Sequence, residues 1–316
     1  MVAKIAGILA AVLWVSGCAH FARGDAKKTQ VKIPDVVQSL IKVETKTQRV
    51  VSVRIFAPAS GCDQCSLIVF SHGANAAPDR YDALLIAWAE AGHVVAAPMH
   101  VDSEEYADRE KFQPPSYLPL RREDFTRVTA AFLQDEATPN FAFDFNGSYI
   151  AAGHSFGALI AQIDGGAMPL TQSRDHFAEN QLRPQAILAI SPPPSFAPLI
   201  GAQGWAAIDV PMLVVTGTND ILPGLAENWE QHLDSYEAGK KELAVAVVFD
   251  EMDHYFNGAF GRENPDHPNA SPGSVGALNA IALQFIAATK DKDFSADKWS
   301  PVSDGSTDGY TILQHQ

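Results

Sequence analysis

The chain is short of positive charge. Against 37 aspartates and glutamates it carries 23 lysines and arginines, a formal net charge of −14 over 316 residues. A phosphate backbone would be repelled by that balance, so nucleic acid is not an expected partner, and anionic lipid gains nothing from it by charge alone. The surface reads instead as an acidic, solubilising exterior. Cysteine is scarce too, with three in the chain at positions 18, 62 and 65. That is too few for a disulfide-built scaffold. With no second Cys/His pair near Cys62 and Cys65, a zinc ribbon is not indicated. There is no H-E-x-x-H pattern and no clustered carboxylate–histidine motif in the sequence, so a metal is not expected. No internal repeat is found. The N-terminal apolar run Ile5 to Val15 is too short to cross a bilayer. What remains, 47% hydrophobic and 19% charged residues, suits one large globular α/β domain rather than a disordered chain.

The chain is organised around Ser148 to Gln162, SYIAAGHSFGALIAQ. An apolar strand runs into Gly153-His154-Ser155-Phe156-Gly157, and a helix of small residues follows. A G-x-S-x-G between strand and helix is the pattern of a nucleophile elbow. Its chemistry needs a sharp, strained turn that lifts the serine hydroxyl clear of the backbone. Gly153 and Gly157 let strand and helix approach closely. The free N–H of Phe156, at the start of the helix, then faces the place where an oxyanion would form. The alternative is a plain tight turn.

On either side, strand and helix patterns alternate. Thr47–Phe56, Ser66–Phe70, His93–Met99, Ala186–Ile190, Met212–Thr216 and Leu243–Phe249 read as strands, most of them buried apolar runs. Asp79–Glu90, Leu120–Leu133, Leu225–Tyr236 and Val275–Ala288 read as helices. Val101–Pro119 is expected to be irregular and to fold over the active-site face, and Pro58–Cys65 to be a loop. Met168–Gln185 is a polar excursion. The alternation predicts a mainly parallel central sheet flanked by helices on both faces, with sites at the carboxyl ends of its strands.

A serine hydroxyl needs a base at neutral pH. Downstream of Ser155, MLVVT runs into Gly217-Thr218-Asn219-Asp220, and VAVVFD into Glu251-Met252-Asp253-His254. An acid and a histidine, each just past a buried strand, make Ser155 the expected nucleophile, His254 the general base and Asp220 the orienting carboxylate. Asp250 and Asp253 are rival acids, and Asp220 could instead cap a helix. The second oxyanion donor is expected from Phe70-Ser71-His72-Gly73-Ala74-Asn75, at the N–H of Ala74. His72 is expected to buttress that loop and His154 to be structural, while His93 and His100 have no evident partner. Met99, Phe156, Trp205, Tyr255 and Phe256 are pocket candidates, with core packing as the alternative for most of them. Arg121 and Asp124 form either an i,i+3 surface pair or a structural feature beneath the site.

The set SHGA, RREDF, GHSFGA, VVTGTND and DHYF resembles α/β-hydrolases related to platelet-activating-factor acetylhydrolases and dienelactone hydrolases, over roughly residues 50 to 290. The resemblance implies the α/β-hydrolase fold, and Ser155, Asp220 and His254 as a triad with Ala74 and Phe156 as oxyanion donors. It also implies ester hydrolysis without a cofactor. Dienelactone hydrolases proper use cysteine where this chain has Ser155, so their substrate does not carry over. The expected activity is that of a serine carboxylesterase. The alternatives are a lipase, phospholipid deacylase or polyester hydrolase, a peptidase or acyltransferase, or a non-catalytic binding lipoprotein on the same scaffold.

At the N-terminus, Val15-Ser16-Gly17-Cys18 follows a short basic start and the apolar run. It resembles the lipobox of bacterial lipoproteins, with an ordinary secretory signal as the alternative. The expected division is a signal peptide over 1–17, a lipidated Cys18 with a tether over 18–46, a catalytic domain over 47–290 and a polar tail over 291–316. The expected location is the outer membrane, lipid-anchored through Cys18, with an ester as the small-molecule partner. Export makes a Cys62–Cys65 disulfide the expected loop clip, with a redox pair as the alternative.

Overall fold

Apolar runs separated by amphipathic segments gather here into one twisted sheet. The computed structural model describes residues 35–134, 143–171, 182–262, 272–301 and 309–315. The expected signal peptide, Cys18 and most of the expected tether lie outside the described residues, as do 172–181 of the polar excursion. Among the described residues, no helix is long and apolar enough to cross a membrane.

The described strands are β1 (Val36–Glu44), β2 (Val50–Pro58), β3 (Cys62–Ser71), β4 (Val94–Pro98), β5 (Phe143–His154), β6 (Ala186–Ile190), β7 (Met212–Asn219), β8 (Ala244–Asp253) and β9 (Tyr310–Gln314). They lie in the order β1-β2-β4-β3-β5-β6-β7-β8-β9. From β4 to β8 every neighbour pair is parallel, and β1, β2 and β9 add antiparallel flanks. The register sets Ser71 of β3 beside Gly153 of β5, and His154 beside Ile190 of β6. The loops after β3, β5, β6, β7 and β8 therefore leave from one rim.

Helices α1 (Asp82–Glu90) and α5 (Pro272–Ala288) cover one face, where Leu84, Trp88, Leu278 and Phe285 pack on Ile68, Phe70, Leu213 and Val245. Helices α2 (Pro114–Leu133), α3 (Phe156–Asp164) and the short α4 (Asp234–Ala238) cover the other, with Phe125, Phe132, Leu159 and Tyr236 in the core. Each such side chain, fully buried, contributes about 1.5–3 kcal/mol of transfer free energy. Both faces being covered explains why the central strands read as continuous apolar runs.

Some boundaries differ from the sequence expectation. Part of the stretch expected to be tether, residues 36–44, is strand β1, whose alternating half-buried and exposed residues pair along all of β2. The expected polar tail contains β9, which pairs with β8 from Tyr310 opposite Phe249 to Gln314 opposite Val245. Helix α2 begins at Pro114, inside the stretch expected to be irregular, because prolines at its first two positions forfeit only N–H groups that a helix start leaves unbonded. The helix expected over Leu225–Tyr236 is a 3-10 turn, Trp229–Leu233, followed by α4. The Cys62–Cys65 disulfide is formed. It sits at the entry to β3, which begins at Cys62 within the expected loop, and a strand rather than a helix follows.

Candidate active site

Strand β5 ends at His154, and the next residue turns the chain. Ser155 has φ 54° and ψ −123°, a left-handed conformation that costs a side-chain-bearing residue of order 1–3 kcal/mol. Close packing imposes it. A Cβ on Gly157 would meet Ser71 O at 1.9 Å, and one on Gly153 would meet Gly157 O at 2.2 Å. The Ser155 N–H donates to Ile190 O at 2.9 Å, fastening the turn to β6. Ser155 is half-buried, and Phe156 opens α3 with an N–H that has no acceptor among the described contacts.

Asp220 stands just past β7 and is fully buried. Its Oδ1 accepts from His254 Nδ1 at 2.7 Å and its Oδ2 from Thr216 Oγ1 at 2.8 Å. Burial pushes its pKa up, but the neighbouring His232 and His254 imidazoles outweigh burial and hold the carboxyl well below the usual range. The rival acids serve elsewhere. Asp253 Oδ1 accepts the N–H groups of Tyr255 and Asn257 at 2.9 and 2.6 Å, tying the loop that carries His254 into a turn. Asp250 is exposed, at the β9 edge beside Gly309.

His154 is structural, as expected, and its role can be specified. The Gly73 N–H donates to Tyr81 Oη at 2.9 Å, Tyr81 Oη lies 2.9 Å from His154 Nδ1, and His154 Nε2 lies 2.8 Å from the His254 carbonyl. The polarity follows from the partners. His254 O can only accept, so His154 carries its proton on Nε2 and takes Tyr81's on Nδ1. Burial, with His254 nearby, lowers the His154 pKa to about 3 and keeps the ring neutral. The chain thus joins the loop after β3 to the loop after β8, behind Ser155. The His154 and His254 rings lie 4.8 Å apart. Among the described hydrogen bonds, none joins Ser155 Oγ to His254. Such contacts are often long before substrate binds.

The loop after β3 is held from beneath by Arg121, which α2 buries completely. Its guanidinium donates to His72 O at 2.5 Å, to Gly73 O at 3.0 Å and to both Asp102 oxygens at 2.6 and 2.7 Å. It also lies 4.7 Å from the centre of the Phe156 ring. Asp102 Oδ2 in turn accepts the Asn75 N–H at 3.2 Å. Burial opposes its charge, but Arg121 holds the Asp102 carboxyl far below the usual range. With Gly73 N–H taken by Tyr81 and Asn75 N–H by Asp102, the N–H of exposed Ala74 is left without a described acceptor. Arg121 and Asp124 are not paired with each other. Asp124 instead meets Arg49 at 2.6 Å and His100 Nδ1 at 2.9 Å. His100 also contacts Ser71 Oγ at 2.9 Å, and its N–H donates to His72 Nε2 at 3.1 Å, so both rings buttress this loop.

Of the pocket candidates, Trp205 and Phe256 are core. The indole N–H of Trp205 donates to Gln162 Oε1 at 2.8 Å, and the Phe256 ring stacks on Phe260. Met99, Phe156 and Tyr255 are half-buried near the rim, Tyr255 edge-on to His254 at 5.0 Å. His93 is buried beside β4, away from these contacts. An open cleft of ≈ 500 Å³ lies beyond the loop after β3, lined by Glu104, Tyr106, Arg109, Phe112 and Tyr117 among others, and Arg109 ties it to Asn75 at 2.6 Å.

Sequence reasoning missed three partners: Tyr81, Asp102 and His232. Asn228 and Gln231 form a capping box at the start of the 3-10 turn, within which His232 is buried. Its Nε2 reaches 2.9 Å from Asp220 Oδ1. Asp220, His232 and His254 present ligand-type atoms within 4.8 Å of one another. These donors already engage one another, so a metal there would have to break the Asp220–His254 bond.

Among curated proteins, none matches the sequence significantly. The sequence matches the family described as platelet-activating factor acetylhydrolase, isoform II, over residues 14–114. The fold is similar to that of a dienelactone hydrolase from Anabaena variabilis, with a TM-score of 0.53 at 14% identity, covering 80% of this chain and 98% of that one. It is also similar to that of a thermophilic esterase from Thermogutta terrifontis in a propionate-bound structure. There the TM-score is 0.56 at 16% identity, covering 83% of this chain and 97% of that one. The chain has the α/β-hydrolase fold.

Proposed function

We propose that this chain, an α/β-hydrolase by fold, is a serine carboxylic-ester hydrolase working through an acyl-Ser155 intermediate. The observation that carries the reading is the convergence at one rim of a strained serine, an imidazole bonded to a buried carboxylate and two N–H groups with no described acceptor. In the proposed reaction, Ser155 Oγ attacks the ester carbonyl and its proton passes to His254 Nε2. Asp220 keeps the ring's Nδ1–H toward itself and stabilises the imidazolium. The carbonyl oxygen becomes an oxyanion facing Ala74 N–H and Phe156 N–H, donors that bind it more strongly than the ground-state carbonyl. His254 then gives its proton to the leaving alkoxide. Water, deprotonated by the same ring, releases the acid and restores Ser155.

Short acyl chains are the proposed substrates. The matched family is described by an acetylhydrolase activity, and the Thermogutta esterase is seen with propionate. Anchoring to the bacterial outer membrane through lipidated Cys18 also belongs to this proposal, supported by the sequence Val15-Ser16-Gly17-Cys18. It is tested by radiolabelled palmitate incorporation, which Cys18→Ala should abolish. For the activity, a fluorophosphonate probe should modify Ser155, and Ser155→Ala should stay folded and lose nearly all turnover of p-nitrophenyl acetate. Near wild-type turnover in Ser155→Ala would overturn Ser155 as the nucleophile, and no adduct on the wild type would instead mark a binding protein on a hydrolase scaffold.

A further inference from the structure

One fully buried imidazole beside Asp220 has no part in the reaction drawn above. His232 Nδ1 lies 2.7 Å from the Pro192 carbonyl oxygen, and its Nε2 lies 2.9 Å from Asp220 Oδ1, close but without the alignment of a straight hydrogen bond. Both neighbours are acceptors. A neutral imidazole has one protonated nitrogen and one bare lone pair. In either neutral tautomer of His232, that lone pair would lie against a carbonyl oxygen at 2.7 Å or a carboxylate oxygen at 2.9 Å. Only a ring protonated on both nitrogens suits both contacts.

The other buried rings around the site are placed differently. His154 meets the Tyr81 hydroxyl on one nitrogen and a carbonyl on the other. His72 faces the Gly73 carbonyl with Nδ1 and receives the His100 N–H on Nε2. His100 faces the Asp124 carboxylate with Nδ1 and the Ser71 hydroxyl with Nε2. Each has an acceptor on one side and an available donor on the other, the pattern of a neutral ring.

We infer that His232 is held as an imidazolium at neutral pH, a positioning residue that shares the Asp220 carboxylate with His254. The groups facing it are consistent with this. Asp220 approaches from the end of β7 and the Pro192 carbonyl from the loop after β6. The His254 ring, from the loop after β8, is 5.5 Å away, with neutral His154 behind it and Tyr255 beyond. Asp234, next along its own segment, turns its Oδ2 to the Ser195 N–H at 2.8 Å. Burial works against a charge on His232, but Asp220 and the Pro192 carbonyl outweigh it, so its pKa is raised. Paired with this cation, Asp220 still orients His254 through Nδ1 but attracts a proton on it less strongly than an unshared carboxylate would.

The deciding measurement is ring-nitrogen NMR of the full chain labelled with ¹⁵N-histidine, the His232 signals being assigned by contact with Pro192. Both nitrogens should resonate as protonated, without titrating, from about pH 5.5 to 8.5, the range over which an ordinary histidine changes charge. A bare-nitrogen signal at neutral pH overturns the inference. This readout needs no activity, so it stands or falls apart from the ester-hydrolase proposal. Its kinetic consequence rests on that proposal. In His232→Gln, the acid limb of kcat/KM for p-nitrophenyl acetate should move to higher pH by about one unit. A lowered melting temperature with the limb unmoved would assign His232 a packing role and overturn the inference. If the variant does not fold, the wild-type spectrum decides.

Discussion

Ser155 is flanked by two constellations built from different chemistry. On the β3 side, a guanidinium and a carboxylate, Arg121 and Asp102, fasten the backbone that carries Ala74, with the neutral rings of His72 and His100 packed around them. On the β7–β8 side, a single carboxylate, Asp220, is approached by two imidazoles. Arginine does not lose its proton in a protein, so the first flank is electrically fixed and can only hold a shape. Imidazole changes charge near neutrality, so the second can carry a proton through a reaction. If the proposed reaction holds, the difference teaches that rigidity and proton traffic are kept on separate loops. The His154 bridge joins their backbones without joining their charges.

The largest expected effect breaks the proton-carrying flank. Asp220→Asn should leave the fold intact by circular dichroism and lower kcat for p-nitrophenyl acetate by roughly 10⁴-fold, because His254 loses the partner that fixes its tautomer. A loss below about tenfold would show that Asp220 is not the acid.

Breaking the rigid flank should cost stability first and rate second. Arg121→Met strands a buried Asp102 charge, and denaturant unfolding should report a loss of about 3–5 kcal/mol. With Ala74 no longer held, kcat should also fall by about 10²-fold. Adding Asp102→Leu removes the stranded charge and should recover much of the stability but not kcat. Recovery of both would mean that the ion pair does not position the loop.

The smallest effect uses His93 as a control outside both flanks. Burial, aided by the Lys290 charge, lowers its pKa to about 4. It is neutral in the folded protein, whereas the unfolded chain takes up its proton near pH 6.5. Below that pH the unfolded state binds more protons, so His93 makes the fold less stable as pH falls from about 6.5 to 4, by about 1.4 kcal/mol per pH unit at most. His93→Gln should flatten the pH dependence of stability across that window by this amount and leave the acid limb of activity unmoved. An unchanged slope would show that His93 is protonated in the fold.

The elbow was legible because its determinants are local. Gly153, Ser155 and Gly157 sit within five residues, and the clash that demands glycine at Gly153 is with Gly157 itself, although the one at Gly157 is with Ser71 of β3. Asp220 and His254 were legible because each follows an apolar run that reads as a strand, and strand ends gather at one rim. Tyr81, Asp102 and His232 were not, since each meets its partner through packing of segments far apart in sequence, and nothing around them marks an inward turn. Arg121 drew notice by its spacing from Asp124, and of the two alternatives the structural feature beneath the site holds, although the two residues face different partners rather than each other. Strand β1 and strand β9 escaped because each is an outer strand, only partly buried, with polar residues between its apolar ones.

Those two outer strands have a bearing on handling the protein. Running against their neighbours on either side, they stand between the sheet's apolar interior and any other chain that might zip onto it. A version trimmed to end before Gly309, as though the last residues were dispensable, would bare Val245 to Phe249, an uninterrupted oily ribbon with free backbone groups, to every other copy in the tube.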